Sequence, residues 1–219
     1  GYHVAFFDDF NYYDPSSSNP SQAFKTNPAF TNSWKLVPND NNSGDYPCIG
    51  WGTAVYSPNM VTIPTQGIIR LKETVATAPS QCSTADRNIT HVSGMLNLTL
   101  KRKNSNEQDS GIISVGIIEA SIQIPSWQGS ADHSAWPAFW IPWGENTITN
   151  QFVGAYNEID ILDNHDGSTN SVWNKVYIKY PTTQSRTGKA ELAAGTPYLD
   201  GQPHIYSCLW TPSRISFYV

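Results

Sequence analysis

The sequence predicts an all-β protein, built as a β-sandwich, a jelly roll or a barrel, and three observations support this fold class. Only 14% of the residues are charged, 12% are aromatic, and 15 Gly and 15 Pro are spread along the chain, as is typical of strands joined by turns. No segment of a dozen residues keeps the 3.6-residue period of an amphipathic helix, and no internal repeat is visible. Short β-branched or alternating runs recur instead, and many short strands pack as two sheets or as one closed sheet.

The chain has 219 residues and a mass of 24.3 kDa, which predicts a single domain over residues 1–219 with a core of its own. Its first part, residues 11–44, is rich in Asn, Ser, Pro and Asp, carries scattered aromatic residues and has no sustained period. We therefore expect a long, loop-rich region at the surface that is ordered by its aromatic side chains.

Short strands are predicted after this region. Residues 95–100 alternate Leu with other residues, mainly polar ones, so one face of that strand should be buried. The other predicted strands are residues 60–63, 67–71, 114–124, 158–162, 172–180, 205–210 and 215–219.

The charge of the chain argues against a nucleic-acid partner. Thirteen basic and 18 acidic side chains give a formal net charge of −5, and the one short basic run is residues 101–103. No apolar stretch approaches the ~20 residues that a membrane-spanning helix needs, and no charged-then-apolar leader follows Gly1. We expect a mature, soluble product without a membrane span.

Sequons, together with the eight Trp and eleven Tyr, favour an extracellular, secreted or cell-surface glycoprotein. Sequons of the N-x-S/T type begin at Asn41, Asn88 and Asn97. Cys48, Cys82 and Cys208 lack the close spacing of a zinc site, so no metal centre is predicted from them. In an oxidising compartment Cys48 and Cys82 are candidates for a disulfide, which leaves Cys208 free or bridged to another chain.

Residues 156–163 (YNEIDILD) place three carboxylates in an otherwise apolar strand, where charge is costly. Glu158 and Asp160 project from the same face of a regular strand, whereas Asp163 joins them only if a β-bulge near Leu162 adds a residue. Retaining glycoside hydrolysis needs two carboxyl groups ~5–5.5 Å apart, one as nucleophile and one as acid/base. A third carboxylate between them would hold a shared proton and keep the nucleophile ionised.

A strand that ends in an Asx turn at residues 163–167 is the alternative interpretation. It explains Asp163 and Asp166, but it leaves Glu158 and Asp160 on one face without a reason. We therefore favour a catalytic site.

Three Trp lie just upstream, in residues 135–143 (AWPAFWIPW). Indole rings present flat faces on which sugars stack, but they also fill protein cores. Alternation sends Phe139 to the face opposite Trp140, so Phe139 is predicted to be a core residue. The pattern leaves open whether Trp136, Trp140 and Trp143 belong to the core or to a sugar subsite.

On these residues the sequence resembles glycoside hydrolase family 16, the jelly-roll β-glucanases, and in particular the eukaryotic-type endo-β-1,3(4)-glucanases and laminarinases. Residues 136–140 (WPAFW) and the E-x-D-x-x-D strand at residues 158–163 look like two family signatures. Weaker likenesses are residues 6–10 to an opening strand, 116–125 to a cleft-flanking strand, and 203–206 and 209–212 to a late strand region. The resemblance implies a concanavalin-like β-sandwich jelly roll.

The resemblance also implies roles for single residues. The implied catalytic residues are Glu158 as nucleophile, Asp160 as its helper and Asp163 as acid/base. The implied substrate-binding residues are Trp136, Trp140, Trp143 and Glu119. No cofactor is required, although a structural calcium ion at Asp8 and Asp9 would fit the family.

Three departures from the family accompany the likeness. Asp163 stands where relatives carry Glu, and the shorter side chain retracts the proton donor by about 1.5 Å, a displacement that can cost ~100-fold in rate. Ser121 stands where relatives commonly carry Arg. The chain ends at Val219, where the family continues through further strands, so we expect a second chain or a C-terminal fragment to complete the fold, linked through Cys208, or a sequence that is incomplete at its C-terminus.

The sequence thus leaves three hypotheses in order of preference. The first is a secreted, endo-acting, retaining β-glucan hydrolase. The second is a catalytically inactive relative that binds carbohydrate or serves as a cell-surface structural protein. The third, a legume-lectin-like binding domain, shares the fold class but does not explain Glu158 and Asp160 beside the WPAFW run.

Overall fold

A computed structural model describes residue 4 and residues 6–37, 54–75, 88–98, 115–125, 136–143, 157–163, 171–178, 184–191 and 200–219. Within these ranges the structure is mainly β-strand with a few short helices, which confirms the predicted all-β class. Spatial clustering divides the chain into two compact units, Gly1–Gly111 and Ile112–Val219. In the part of the chain that the structure describes, no helix is long and apolar enough to cross a membrane.

In the first unit, the described residues form short strands in three small sheets. Its strands are β1 Trp34–Leu36, β2 Ala54–Tyr56, β3 Val61–Thr65, β4 Ile68–Leu71, β5 Glu73–Val75, β6 His91–Ser93 and β7 Leu96–Leu98. β1 pairs with β7 and β3 with β4, while the third sheet has the order β2-β6-β5 with β2 and β6 parallel. Its helices are the 3₁₀ helices Pro20–Thr26 and Pro58–Met60 and the short helix α1, Pro28–Thr31.

Residues 11–44 were predicted to be a surface loop. This prediction is wrong where the chain forms the 3₁₀ helix Pro20–Thr26, the helix α1 and the strand β1. Both helices carry Pro in their first turn, and the side chain of Asn27 caps α1 by accepting a hydrogen bond from the amide of Ala29 at 2.9 Å. Phe24 and Phe30 are fully buried, with their rings edge to face at 4.8 Å. Helices this short show no sequence period, and aromatic residues expected to order a loop form the core of this unit instead.

The segment that resembles an opening strand, residues 6–10, lies outside any strand. The carboxylate of Asp8 accepts a hydrogen bond from the amide of Phe10 at 2.7 Å, and Phe10 has a positive φ of 53°. The same carboxylate accepts from the Tyr12 hydroxyl at 2.7 Å and from Trp34 Nε1 at 2.6 Å. Asp8 therefore stabilises a turn of the chain and connects it to β1 through the hydrogen bond from Trp34.

The described part of the second unit forms two antiparallel sheets. Its strands are β8 Gly116–Gln123, β9 Ala138–Trp143, β10 Asn157–Asp163, β11 Ser171–Ile178, β12 Gln184–Glu191, β13 Pro203–Thr211 and β14 Arg214–Tyr218. The sheet orders are β12-β11-β10-β9 and β14-β13-β8. Both sheets contribute to one core, whose buried residues are Ile124, Ile159, Ile161, Leu162, Val172, Tyr206 and Cys208.

Two predictions concern this core. Phe139 packs against it, as the alternation in the WPAFW run predicts. Cys208 is a free thiol with 0% exposure, and burial raises its pKa to about 11. Its buried position argues against a link from Cys208 to another chain, and the second chain itself stays a prediction.

Candidate active site

A β-bulge in β10 organises the candidate site. In the register with β9, Asp160 lies opposite Trp140, but Leu162 lies opposite Phe139, so Ile161 is an extra residue. The bulge predicted near Leu162 is thus confirmed. Sequence reasoning could find it because the spacing of the three carboxylates makes chemical sense only with one added residue.

The bulge changes which side chains face the core. Ile159 is buried at 0% exposure, and the consecutive residues Ile161 and Leu162 are each buried at 1%. Two adjacent core residues break the period of two, so Asp163 returns to the face of Glu158 and Asp160. The three predicted catalytic side chains therefore share one face of β10, and the charge of Asp163 acts on both of the other carboxyl groups.

Glu158 and Asp160 are a coupled pair whose pKa values are both raised. Burial is the main cause of the raised pKa of Glu158, while a hydrogen bond from Asp160 and the charge of Lys175 oppose it. Burial, followed by the charges of Glu158 and Asp163, raises the pKa of Asp160 to about 8. The arrangement therefore favours a proton on Asp160, donated in a hydrogen bond to the Glu158 carboxylate.

Lys175 is a site residue that the sequence did not indicate. It lies on β11 directly opposite Asp160, and Tyr177, opposite Glu158, has the Lys175 ammonium 5.6 Å from the centre of its ring. The Lys175 charge lowers the pKa of both Glu158 and Asp160. A single Lys in a strand gives no sequence signal until the register with β10 is known.

The predicted subsite residues fall into two groups. Trp136 is 53% exposed and donates a hydrogen bond from Nε1 to Asp163 Oδ1, and Trp140 lies half-buried on β9 opposite Asp160. The structure thus brings both indoles beside the carboxylates. Trp143 ends β9, but its side chain lies outside the described part of the structure.

Glu119 lies apart from this group. It is exposed on β8, which belongs to the other sheet, and it pairs with Ser207 rather than with any residue of β9 or β10. Its neighbour Ile118 packs on the core, so Glu119 points to the opposite face. A substrate contact by Glu119 stays a prediction.

Asp8, one of the two residues predicted to hold a calcium ion, already uses its carboxylate in hydrogen bonds. Its two carboxylate oxygens accept three hydrogen bonds, from Phe10, Tyr12 and Trp34. Such donors compete with a cation for the same lone pairs. Among the described residues, no group of three or more His, Cys, Asp and Glu side chains could hold a metal. The residues present do not favour calcium here, and no step below uses it.

The predicted modification sites are only partly within the described residues. Asn88 is exposed, and Asn97 lies at the centre of β7 opposite Lys35. Asn41, Cys48 and Cys82 lie outside the described residues, so the predicted glycan at Asn41 and the candidate disulfide stay predictions.

Comparison with known proteins identifies a matching family and solved structures of similar fold. Residues 77–219 match the family model described as Glycosyl hydrolases family 16. A family 16 endo-glucanase from Bacteroides ovatus is 20% identical with a TM-score of 0.58, and the match covers 98% of this chain and 74% of that one. The laminarinase catalytic domain from Thermotoga maritima is 19% identical with a TM-score of 0.61, and the match covers 89% and 70%.

A third solved structure, the endo-β-1,3-glucanase from Pyrococcus furiosus, is 20% identical with a TM-score of 0.60, and the match covers 85% of this chain and 65% of that one. At these identities the structures show a shared fold, the jelly roll of this family. No match to a curated protein was found.

Proposed function

Because the chain belongs to glycosyl hydrolases family 16, which supports a glycoside hydrolase, we propose that it is a secreted, endo-acting hydrolase that cleaves β-glucan with retention. The observation that carries this proposal is the bulge of β10, which aligns Glu158, Asp160 and Asp163 on one face. The solved structures with the same fold include a laminarinase and an endo-β-1,3-glucanase, which supports β-glucan as the substrate class.

In the proposed mechanism Glu158 is the nucleophile. Its carboxylate attacks the anomeric carbon while Asp163 gives its proton to the leaving glycosidic oxygen, and a covalent glycosyl-enzyme forms. Asp163 then takes a proton from water, which attacks the same carbon and releases Glu158. The protonated Asp160 and the ammonium of Lys175 hold Glu158 as the anion, and the exposed ring of Trp136 offers a face for a glucosyl unit.

The test is Glu158→Gln, which keeps the shape of the side chain and removes the nucleophilic charge. We expect hydrolysis of laminarin and lichenan to be abolished, with binding retained in affinity electrophoresis. Glu73→Gln, in β5 of the first unit, is the matched control and should hydrolyse at the wild-type rate. Wild-type turnover by Glu158→Gln would refute the assignment.

A second candidate function is carbohydrate binding, or a structural role at the cell surface, without catalysis. The observation that favours it is Asp163 itself, whose carboxyl is one methylene shorter than the family's Glu and whose Oδ1 already accepts the Trp136 indole N–H. If the Asp163 carboxyl lies too far from the glycosidic oxygen and stays hydrogen-bonded to Trp136, the cleft would bind glucan but cleave it slowly.

Asp163 substitutions separate the two candidates. If the wild type is active, Asp163→Asn should lose hydrolysis of laminarin by ~100-fold or more, yet be partly rescued on a 2,4-dinitrophenyl β-glycoside, whose leaving group needs no proton. If the wild type is inactive, Asp163→Glu should gain measurable hydrolysis because it restores the reach of the acid. Inactivity of both the wild type and Asp163→Glu would favour the binding function.

A further inference from the structure

The bulged residue Ile161 has no register partner on β9 or on β11. The register with β9 passes from Asp160 to Leu162, and the register with β11 includes Glu158, Ile159 and Asp160 only. Ile161 is 1% exposed, so water has little access to its carbonyl. A buried carbonyl outside both ladders needs a partner from a side chain.

Asn174 supplies that partner. Its Nδ2 donates a hydrogen bond to the carbonyl oxygen of Ile161 at 2.6 Å, and the side chain is 5% exposed. Asn174 lies on β11 next to Lys175, which faces Asp160. If the register continued past Asp160, Asn174 would be the residue opposite Ile161.

Asn174 lies in a buried position where an apolar side chain would pack well. Val172, two positions earlier on the same face of β11, is fully buried in the core of the second unit. Burying an amide there costs free energy unless the amide makes a needed hydrogen bond. The bond to Ile161 is therefore the physical reason for Asn at this position.

We propose that Asn174 is a positioning residue that locks the bulge of β10 and so keeps Asp163 on the face of Glu158. The proposal rests on the proposed function, because it assigns Asn174 to the geometry of the acid/base. Without the amide, the Ile161 carbonyl gains by pairing with the backbone of β11, as in a regular ladder. Regular pairing shifts the following residues by one position and turns Asp163 to the opposite face.

The experiment compares Asn174→Leu, which keeps the size but removes the donor, with Val172→Ala, which loosens the same part of the core and leaves the bulge bond intact. Asn174→Val, which is smaller than Leu and also lacks a donor, is the second variant in case Asn174→Leu does not fold. Each folded variant is assayed on laminarin and on the 2,4-dinitrophenyl β-glycoside of a β-1,3-linked glucose disaccharide. The first substrate needs a proton from Asp163, and the second does not.

We expect Asn174→Leu to lower kcat on laminarin by ~100-fold, with KM little changed and much less loss on the dinitrophenyl glycoside. Val172→Ala should lower the two rates by the same factor. Equal losses on both substrates in Asn174→Leu, as in the control, would overturn the positioning role. Turnover by Glu158→Gln at the wild-type rate would instead refute the proposed function, so the two failures are distinguishable.

A spectroscopic measurement tests the role without activity. The Trp136 indole N–H reports the position of Asp163, because Nε1 donates to Asp163 Oδ1. Its NMR signal is assigned by its loss in Trp136→Phe. The signal should shift in Asn174→Leu and in Asn174→Val but stay unchanged in Val172→Ala, and an unchanged signal in the folded Asn174 variants would overturn the proposal.

Discussion

The proton held by Asp160 illustrates how burial can set the charge state of a site. Desolvation disfavours the ionised form of both carboxyl groups, but only one proton is needed to relieve the repulsion between them. Asp160 is 5% exposed and its pKa is raised to about 8, so it keeps the proton at neutral pH. Glu158 then accepts a hydrogen bond and also faces Lys175, two interactions that favour its anion.

Asp160→Asn should change how stability depends on pH. The pKa of Asp160 is raised from 3.8 to about 8 in the folded protein, so between these values unfolding releases a proton. The stabilisation from this proton is fully present below about pH 4 and is lost as pH rises through about 8. Asn cannot titrate, so we expect Asp160→Asn to lose less stability between pH 4 and pH 8 than the wild type.

Urea midpoints measured from pH 4 to pH 9 check this expectation. Asp14→Asn is the control, because Asp14 is exposed and the hydrogen bonds from Ser16 lower its pKa instead. That variant should keep the wild-type trend between pH 5 and pH 8. Parallel curves for Asp160→Asn and the wild type would contradict the assignment of the proton to Asp160.

The carboxylates were predictable from the sequence, whereas their neighbours were not. Three acidic residues in an apolar strand are costly enough to indicate a site, and their spacing indicated the bulge. Lys175 and Asn174 depend on the register between β10 and β11, which their own types and spacing do not reveal. Glu119 was carried over from a resemblance, and the structure places it on the other sheet.

We expect that deleting the bulged residue Ile161 removes the bulge of β10 and keeps the three carboxylates on one face. Deleting Ile161 restores the period of two, so Glu158, Asp160 and the Asp that follows Leu162 still share a face. In the bulged wild type, Asn174→Leu removes the hydrogen bond to the Ile161 carbonyl and should cost ~1–3 kcal/mol of stability. In the deletion variant that carbonyl no longer exists, so Asn174→Leu should be neutral or stabilising.

Urea unfolding of the wild type, the Ile161 deletion, Asn174→Leu and the double variant gives the coupling free energy between Ile161 and Asn174. The expected result is that the cost of Asn174→Leu disappears or changes sign in the deletion variant. The same cost of Asn174→Leu with and without Ile161 would show that the Asn174 amide serves something other than the bulge.

Strands were easier to predict than helices for a physical reason. β10, β13 and β14 combine apolar alternation with flanking turns, and residues 158–162, 205–210 and 215–219 were predicted within two residues of their bounds. β12, Gln184–Glu191, has almost no apolar residues, so no pattern revealed it. The first two helices are seven and four residues long, and their capping and buried Phe residues are visible only in three dimensions.

The family match covers the two compact units to different extents. The match covers residues 77–219, which include the whole second unit, Ile112–Val219, and every candidate catalytic residue. The first unit, which has its own core around Phe24 and Phe30, lies mostly outside that match. Sequence reasoning accordingly gave catalytic and substrate-binding roles to residues of the second unit only.

Secretion of the whole molecule predicts N-linked glycans, and the first unit contains the positions that test it. Asn88 is exposed ahead of β6, and Asn97 lies on β7 opposite the exposed Lys35, so the fold leaves room for a glycan at Asn88 in particular. Expressed in a eukaryotic secretory host, the protein should lose mass on treatment with peptide N-glycosidase. Asn88→Gln should remove one glycan, whereas Thr90→Ser keeps the sequon and should retain it. A mass unchanged by the enzyme in the wild type would contradict the proposed secretory route.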